Sequence, residues 1–154
     1  MENQRLTAHF NLYDFLASDT ALRLGINNEP HDPEVVVCLR ALAEKLLEPV
    51  QERFNTRPQI TSGYRCPELN EKVGGAATSQ HMKGQAVDFQ LPGSSLLDVA
   101  QWMSAQLDFD QLLLEQNSSG ERWIHVSYVG AGSNRRQVKW YDGDNWHDGL
   151  PESI

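Results

Sequence analysis

The sequence predicts a single α+β domain in which a small antiparallel sheet is flanked by helices. Helical and strand-like segments follow one another in mixed order along the chain, which is typical of this class. Two strand-like runs near the end, separated by the turn-rich NSSGE, indicate a hairpin. Because the 154 residues contain no repeats and no low-complexity linker, we expect one domain over residues 1–154.

The first third of the chain is predicted to be helical. Asn11 and Ser18 can cap two short helices, and Gly25 can end the second. A longer helix is predicted over residues 32–54, because an Asp-Pro pair opens it and Pro49 should only distort its last turns. Its apolar positions recur every three or four residues, at Val35, Leu39, Leu42, Leu46, Val50 and Phe54.

The remaining segments alternate between strands and helices. In order, the pattern predicts a strand over 59–63, a short helix over 67–73, a strand over 85–90, a helix capped by Ser95, and strands over 111–115 and 123–129. The tail over 130–154 has no clear periodicity. Its aromatic side chains are predicted to cover one edge of the sheet.

Composition restricts the classes of partner. The net charge is −8, from 13 Lys and Arg against 21 Asp and Glu, and phosphate contacts need clustered basic residues, so a nucleic-acid partner is disfavoured. No run approaches the roughly 20 apolar residues of a membrane span. The opening MENQRLTAHF has no basic segment followed by an apolar run, so we expect cytoplasmic synthesis without a signal peptide and without membrane insertion.

The two cysteines are too few for a disulfide framework and lack the CxxC spacing of a thiolate zinc site. Cys38 lies on the long predicted helix and is expected to be a buried small hydrophobic residue. Whether Cys38 and Cys66 are joined or free stays open from the sequence.

Three residues form a candidate metal site. In SQHMKGQAVDF, Asp88 follows His81 by seven positions, and Gly84 between them permits a tight turn. In RWIHVSYV, alternation places Trp123, His125 and Ser127 on one strand face. Two histidines and one carboxylate are a common catalytic zinc set that leaves a fourth position for water. From the residues alone, a hydrogen-bonded structural network remains an alternative.

Four segments carry a family resemblance. SGYRCPELN, VGG, SQHMKGQAVDF and WIHVSY, in this order, resemble motifs of the zinc D-Ala-D-Ala peptidase family, which includes carboxypeptidases, dipeptidases and bacteriophage endolysins. The opening HFNLYDFLASDTALRLGI resembles the start of its phage and prophage members. The resemblance covers about residues 10–129 and implies the α+β fold that this family shares with the hedgehog signalling domain.

The resemblance implies a site. The zinc ligands would be His81, Asp88 and His125, with one Zn²⁺ per chain. Arg65 matches the arginine of the SGYR motif, which is thought to bind substrate and to stabilise the oxyanion.

Three further residues are candidates for contact with the substrate, namely Tyr64, Ser79 and Trp123. Each also has a structural interpretation, because Tyr64 and Trp123 are typical core aromatics and Ser79 can hold a loop through local hydrogen bonds.

The catalytic base departs from the family pattern. The family commonly has a carboxylate three residues before the late histidine, but Arg122 occupies that position here. Glu115 ends the strand that should pair with the His125 strand, so a hairpin can bring its carboxylate beside the metal. Glu121 is nearer in sequence but lies in the predicted turn. We therefore favour Glu115 as the base over Glu121.

The resemblance implies a zinc peptidase that hydrolyses peptidoglycan stem or cross-bridge peptides containing D-amino acids. It would act as a monomer at the bacterial wall after phage-type release or delivery. The main alternative is a non-catalytic, zinc-containing binding or structural module of the same fold, such as a phage tail component. A second alternative is a metal-free interaction domain.

Overall fold

Six strands form one sheet in the computed structural model, which describes residues 1–154. In chain order the strands are β1 (Gln59–Ser62), β2 (Ala86–Gln90), β3 (Gln111–Gln116), β4 (Arg122–Ser127), β5 (Gln137–Tyr141) and β6 (Trp146–Asp148). Across the sheet their order is β1-β2-β4-β3-β5-β6. All neighbours pair antiparallel except β3 and β5, which pair in parallel. The predicted α+β class and the hairpin of β3 and β4 are confirmed.

The helices follow the predicted caps. They are α1 (Leu12–Leu16), α2 (Asp19–Leu24), α3 (Pro33–Leu42), α4 (Glu48–Phe54), α5 (Pro67–Lys72) and α6 (Leu96–Gln106), with a short 3-10 helix at Gln80–Lys83. Asn11 closes a capping box at α1, and Ser18 caps α2. Gly25 ends α2 with a φ of 67°, in the left-handed region that glycine adopts most readily.

The long predicted helix is continuous but changes its winding. A π-helical turn at Ala43–Leu47 joins α3 to α4, immediately before Pro49. Proline has no N–H to donate to the carbonyl of Lys45, four residues earlier, and its ring crowds that carbonyl. Wider winding at this point relieves the conflict, which explains why the proline distorts the helix without ending it.

The core lies between the helices and one face of the sheet. Leu39 and Leu42 of α3 are fully buried in the same apolar cluster as Val87 and Phe89 of β2. Side chains alternate across a strand, so Asp88, between these two β2 residues, faces the opposite side. The sheet therefore has one apolar face inside the core and one open face that carries polar groups.

The tail differs from its prediction. Residues 130–154 were expected only to cover a sheet edge with aromatic side chains, but they form β5 and β6 and extend the sheet beyond β3. Trp140 lies within β5 and pairs in register with Leu114. The edge of β3 is thus covered by backbone pairing as well as by side chains.

The cysteines are both free. Cys66 is buried, but Cys38 is only partly buried, contrary to expectation, because it lines a surface groove beside Val35 and Met82. No helix of the protein combines the length and the apolar character needed to cross a bilayer.

Candidate metal centre

Three side chains meet on the open face of the sheet. Asp88 in β2 and His125 in β4 are direct partners across the two strands, and their Oδ1 and Nδ1 atoms lie 2.8 Å apart. His81 lies on the 3-10 helix that precedes β2, and its Nε2 is 3.5 Å from the same carboxylate oxygen. The three ligand atoms all lie within 4.8 Å of one another.

Local structure aims the His81 ring. Ser79 caps the 3-10 helix by accepting a hydrogen bond from the His81 backbone N–H at 3.2 Å. Gly84 ends the helix with a φ of 72°, and a Cβ there would lie 2.6 Å from the carbonyl oxygen of Val35. The Nδ1 of His81 lies 2.7 Å from the carbonyl oxygen of Gly63. If Nδ1 carries the proton and donates it to this carbonyl, the lone pair of Nε2 is directed at the metal site.

The donor set fits zinc. Two imidazole nitrogens and one carboxylate oxygen are the protein ligands of many catalytic zinc sites. Tetrahedral coordination with zinc–nitrogen and zinc–oxygen bonds of about 2.0 to 2.1 Å requires ligand atoms about 3.3 Å apart. The separations of 2.8 and 3.5 Å from Asp88 Oδ1 to the two histidine nitrogens lie on either side of that value. A fourth position remains for water or substrate.

The neighbouring groups also shift the pKa values of Asp88 and His125. Burial would raise the pKa of Asp88, but hydrogen bonds from His125 and His81 hold it well below its usual range. Burial would lower the pKa of His125, but its hydrogen bond to Asp88 and the charges of Asp88 and Glu115 raise it. Asp88 is therefore ionised at neutral pH, which is the state in which a carboxylate binds a metal.

A polar cavity of about 590 Å³ opens over these ligands. Besides the three candidate ligands, the side chains that matter for the chemistry are Arg65, Ser79, Glu115, Trp123 and Arg135, all of which line the cavity. Of the predicted site residues, the structure thus brings Arg65, Ser79, Glu115 and Trp123 to the metal centre.

Glu115 reaches the cavity through the register of the hairpin. It pairs with Trp123, and the neighbouring pair on the same face is Leu113 with His125. The indole Nε1 of Trp123 donates a hydrogen bond of 3.2 Å to Oε2 of Glu115. Burial raises the pKa of Glu115, and the nearby charge of Asp88 adds to the rise, while the charges of His125 and Arg65 oppose it.

Two predicted residues lie elsewhere. Glu121 is exposed in the turn between β3 and β4, accepts a hydrogen bond from Asn117, and does not line the cavity. Tyr64 is 6 % exposed and belongs to the apolar core, so it is not available at the cavity surface. Arg122, at the position where the family commonly has a carboxylate, is exposed and donates to Gln116.

Arg65 enters the cavity from the loop after β1. Its Nη2 donates to the hydroxyl of Ser79 at 3.3 Å, and its buried Nε has no hydrogen-bond partner in the protein. Burial lowers the pKa of this guanidinium, while the charges of Asp88 and Glu115 oppose the shift. A guanidinium with unused donor capacity beside the candidate metal ligands is suited to interact with a substrate oxygen.

Two residues of the site, Gly63 and Arg135, are not predicted by the sequence. The carbonyl of Gly63 orients His81, and a backbone group of this kind leaves no side-chain signal. Arg135 lies in the tail and lines the cavity, held there by the buried Asp110. Its polar loop sequence, VGAGSNRRQ, offers no indication of that position.

Comparisons with known proteins agree with this geometry. A family model described as Peptidase M15 matches residues 8–127, which include all three candidate zinc ligands, Arg65 and Glu115. The comparison with curated proteins gives no match. The match spans well over half of the chain and, together with the zinc-compatible donor set, leads to one conclusion: the chain belongs to the Peptidase M15 family of zinc-dependent peptidases.

Proposed function

We propose that the protein hydrolyses amide bonds of D-amino acids in peptidoglycan stem or cross-bridge peptides, as a D-Ala-D-Ala carboxypeptidase or an endopeptidase. One observation carries the proposal: a zinc-type donor set, an arginine whose Nε has no partner in the protein and a half-buried carboxylate line the same cavity. Membership of the Peptidase M15 family supports a zinc peptidase acting on peptidoglycan-type substrates.

In this proposal one zinc ion per chain would be held by His81, Asp88 and His125. When bound, zinc acts as a Lewis acid toward the scissile carbonyl and lowers the pKa of a water ligand. Asp88 lies between the two histidines and supplies the negative charge of the set.

Glu115 is the proposed general base and acid. Its Oε2 accepts the hydrogen bond from Trp123, which leaves Oε1 without a protein donor. Oε1 would take a proton from the attacking water and return it to the nitrogen of the leaving amine. Trp123 acts as the positioning residue, because its indole N–H fixes the plane of the carboxylate.

Arg65 is the proposed partner of the scissile carbonyl oxygen. Its guanidinium lines the cavity, donates to Ser79 through Nη2, and has a buried Nε without a partner in the protein. As negative charge develops on the carbonyl oxygen, a fixed cation nearby stabilises the transition state more than the ground state.

We also propose how the chain is organised and used. Residues 1–154 form one peptidase domain, with the motif-bearing core at about 10–129 and the tail at 130–154. The protein works as a monomer at the bacterial wall, after release or delivery by a phage-type system. The phage-like opening sequence supports this route.

A second candidate function is a non-catalytic, zinc-containing binding module, such as a phage tail component. The observation that favours it is Arg122, which stands where the family commonly has its acidic base. In that case zinc and wall peptide would bind, but no peptide bond would be cut.

The test is muropeptide release from purified peptidoglycan by the zinc-loaded wild type, Glu115→Gln and Glu121→Gln. The matched pair removes one carboxylate charge inside the cavity and one outside it. We expect release by the wild type and by Glu121→Gln, with a loss of about 100-fold or more in Glu115→Gln. Equal activity of all three proteins would contradict the role of Glu115, and binding without release by the wild type would favour the second candidate.

A further inference from the structure

Arg135 enters the metal cavity from outside the family-matched residues 8–127. It lies in the segment between β4 and β5 and is fixed to one carboxylate, that of Asp110. The backbone N–H and Nε of Arg135 donate to Oδ1 of Asp110 at 2.9 and 3.0 Å, and its Nη2 donates to Oδ2 at 2.7 Å. Three hydrogen bonds therefore hold both ends of the arginine.

Asp110, which holds Arg135, is also connected to the candidate zinc site. Asp110 is 2 % exposed and accepts a further hydrogen bond of 3.0 Å from the side chain of Gln80. Gln80 immediately precedes the zinc ligand His81 on the 3-10 helix. The guanidinium is thus linked through Asp110 to the helix that carries His81, which defines its position relative to that side chain.

One guanidinium nitrogen of Arg135, Nη1, remains free for a ligand. The bonds to Asp110 use Nε and Nη2, so Nη1 has no acceptor in the protein, and the side chain is 58 % exposed. Arg135 makes no hydrogen bond to Glu115 or to the zinc ligands. It therefore presents a rigid, pre-oriented donor to the cavity at low entropic cost.

Charge selects the kind of ligand. The charged side chains of the cavity include Arg65 and Arg135 against Asp88 and Glu115, so a divalent zinc ion makes its net formal charge positive. The chain as a whole carries a charge of −8. A cationic cavity in an acidic protein favours a substrate with a negative group near the bond that is cut.

We propose that Arg135 is a specificity-determining residue that binds a free carboxylate of the substrate, separate from the scissile carbonyl. The inference rests on the proposed peptidase function and adds the chemical feature that the substrate must carry. Two carboxylates of a wall peptide have this chemistry, the one at its C-terminus and the side-branch carboxylate of an internal D-glutamate.

The experiment compares three synthetic stem peptides ending in D-Ala-D-Ala: one with both carboxylates free, one amidated at the C-terminus, and one amidated at the D-glutamate. For the zinc-loaded wild type we expect amidation of the recognised carboxylate to lower kcat/KM about 10-fold or more. The Arg135→Gln variant should cleave the amidated peptide and the free peptide with equal kcat/KM. Its lower kcat/KM for the free peptide, relative to the wild type, should come from a higher KM and not from a lower kcat. Which amide is affected identifies the carboxylate.

The variants need controls for folding and for net charge. Arg135→Gln leaves Asp110 buried without its partner, so the double variant Arg135→Gln/Asp110→Asn removes both charges and should show the same loss of discrimination. Arg136→Gln removes a neighbouring charge that stacks on Phe109 and does not line the cavity. Arg136→Gln should keep the wild-type preference for the free carboxylate.

A binding measurement separates this inference from the peptidase proposal. Calorimetry measures binding of the same peptides to Glu115→Gln and to the double variant Glu115→Gln/Arg135→Gln. Because neither protein should turn the peptides over, the affinities report carboxylate recognition alone. Carboxylate-dependent binding that is lost with Arg135 supports the inference even if no wild-type hydrolysis is found. Equal affinity for free and amidated peptides, or an equal loss for all three on changing Arg135, would overturn it.

Discussion

Asp88 and His125 lie opposite each other on adjacent strands, with Oδ1 and Nδ1 2.8 Å apart. This pairing places a carboxylate and an imidazole side by side without any loop, since opposite residues of an antiparallel pair share one face. The third candidate ligand, His81, comes from a one-turn helix oriented by Gly63 and Gly84. Two candidate ligands are therefore positioned by the sheet and one by a turn.

Gly84→Ala should destabilise the protein by more than the cost of placing alanine at a positive φ. Gly84 has a φ of +72°, and an added Cβ would lie 2.6 Å from the Val35 carbonyl oxygen. Gly120 is the matched control, since its φ is +81° but its Cβ would meet nothing within 4 Å. In urea unfolding we expect a loss of about 1 kcal/mol for Gly120→Ala and about 2 to 4 kcal/mol for Gly84→Ala. Equal losses would mean that the contact with Val35 relaxes freely.

Leu42→Ala tests the core beneath the sheet. Leu42 is fully buried in α3, whereas Val37 on the same helix is 54 % exposed. Removing the Leu42 side chain leaves a cavity, so we expect the free energy of unfolding to fall by about 2 to 5 kcal/mol. Val37→Ala should change it by less than about 0.5 kcal/mol. Similar values for the two variants would contradict the assigned core.

Acid should weaken the fold partly through Asp110. Hydrogen bonds from Arg135 lower the pKa of Asp110 from 3.8 to about 2. Because the folded-state pKa is depressed, its stabilisation is present above about pH 4 and is lost as the pH falls toward 2. Asp110→Asn should lose about 2 kcal/mol at pH 6, and its difference from the wild type should shrink at low pH. A difference that does not change with pH would contradict the ion pair. The measurement is urea unfolding of the zinc-free proteins at several pH values.

Trp123→Phe tests how Glu115 is held. The change keeps an aromatic ring and removes only the N–H that donates to Oε2 of Glu115. That hydrogen bond lowers the pKa of Glu115, so its loss should raise it. We expect several-fold lower kcat, unchanged zinc content, and an acid limb of the kcat/KM profile moved to higher pH. A lower kcat with an unmoved acid limb would mean that Trp123 does not act through Glu115.

The sequence predicted the features that depend on neighbouring residues. The caps at Asn11 and Ser18 and the hairpin around NSSGE are local signals, and all three are confirmed. Residue type and local pattern made His81, Asp88 and His125 metal candidates, but only the motif resemblance implied that they form one site, because nothing in the separation of His81 from His125 indicates that they are adjacent. Their proximity depends on β2 pairing with β4, a long-range contact.

What the sequence did not predict depends on distant packing. The tail pairs in parallel with β3, and this pairing carries Arg135 to the cavity and places Trp140 opposite Leu114 within the sheet. Tyr64 follows a strand and adjoins Arg65, yet the two side chains part, one into the core and the other into the cavity. Periodicity cannot resolve such a divergence once a strand gives way to a loop.

The central claim is tested most directly by the zinc content of the purified protein, measured by plasma mass spectrometry with muropeptide release, for wild type and His125→Ala. The account predicts about one zinc per chain and release of wall peptides by the wild type, with both lost in the variant. Wild-type protein that binds no zinc when zinc is supplied, or full release by His125→Ala, would contradict it.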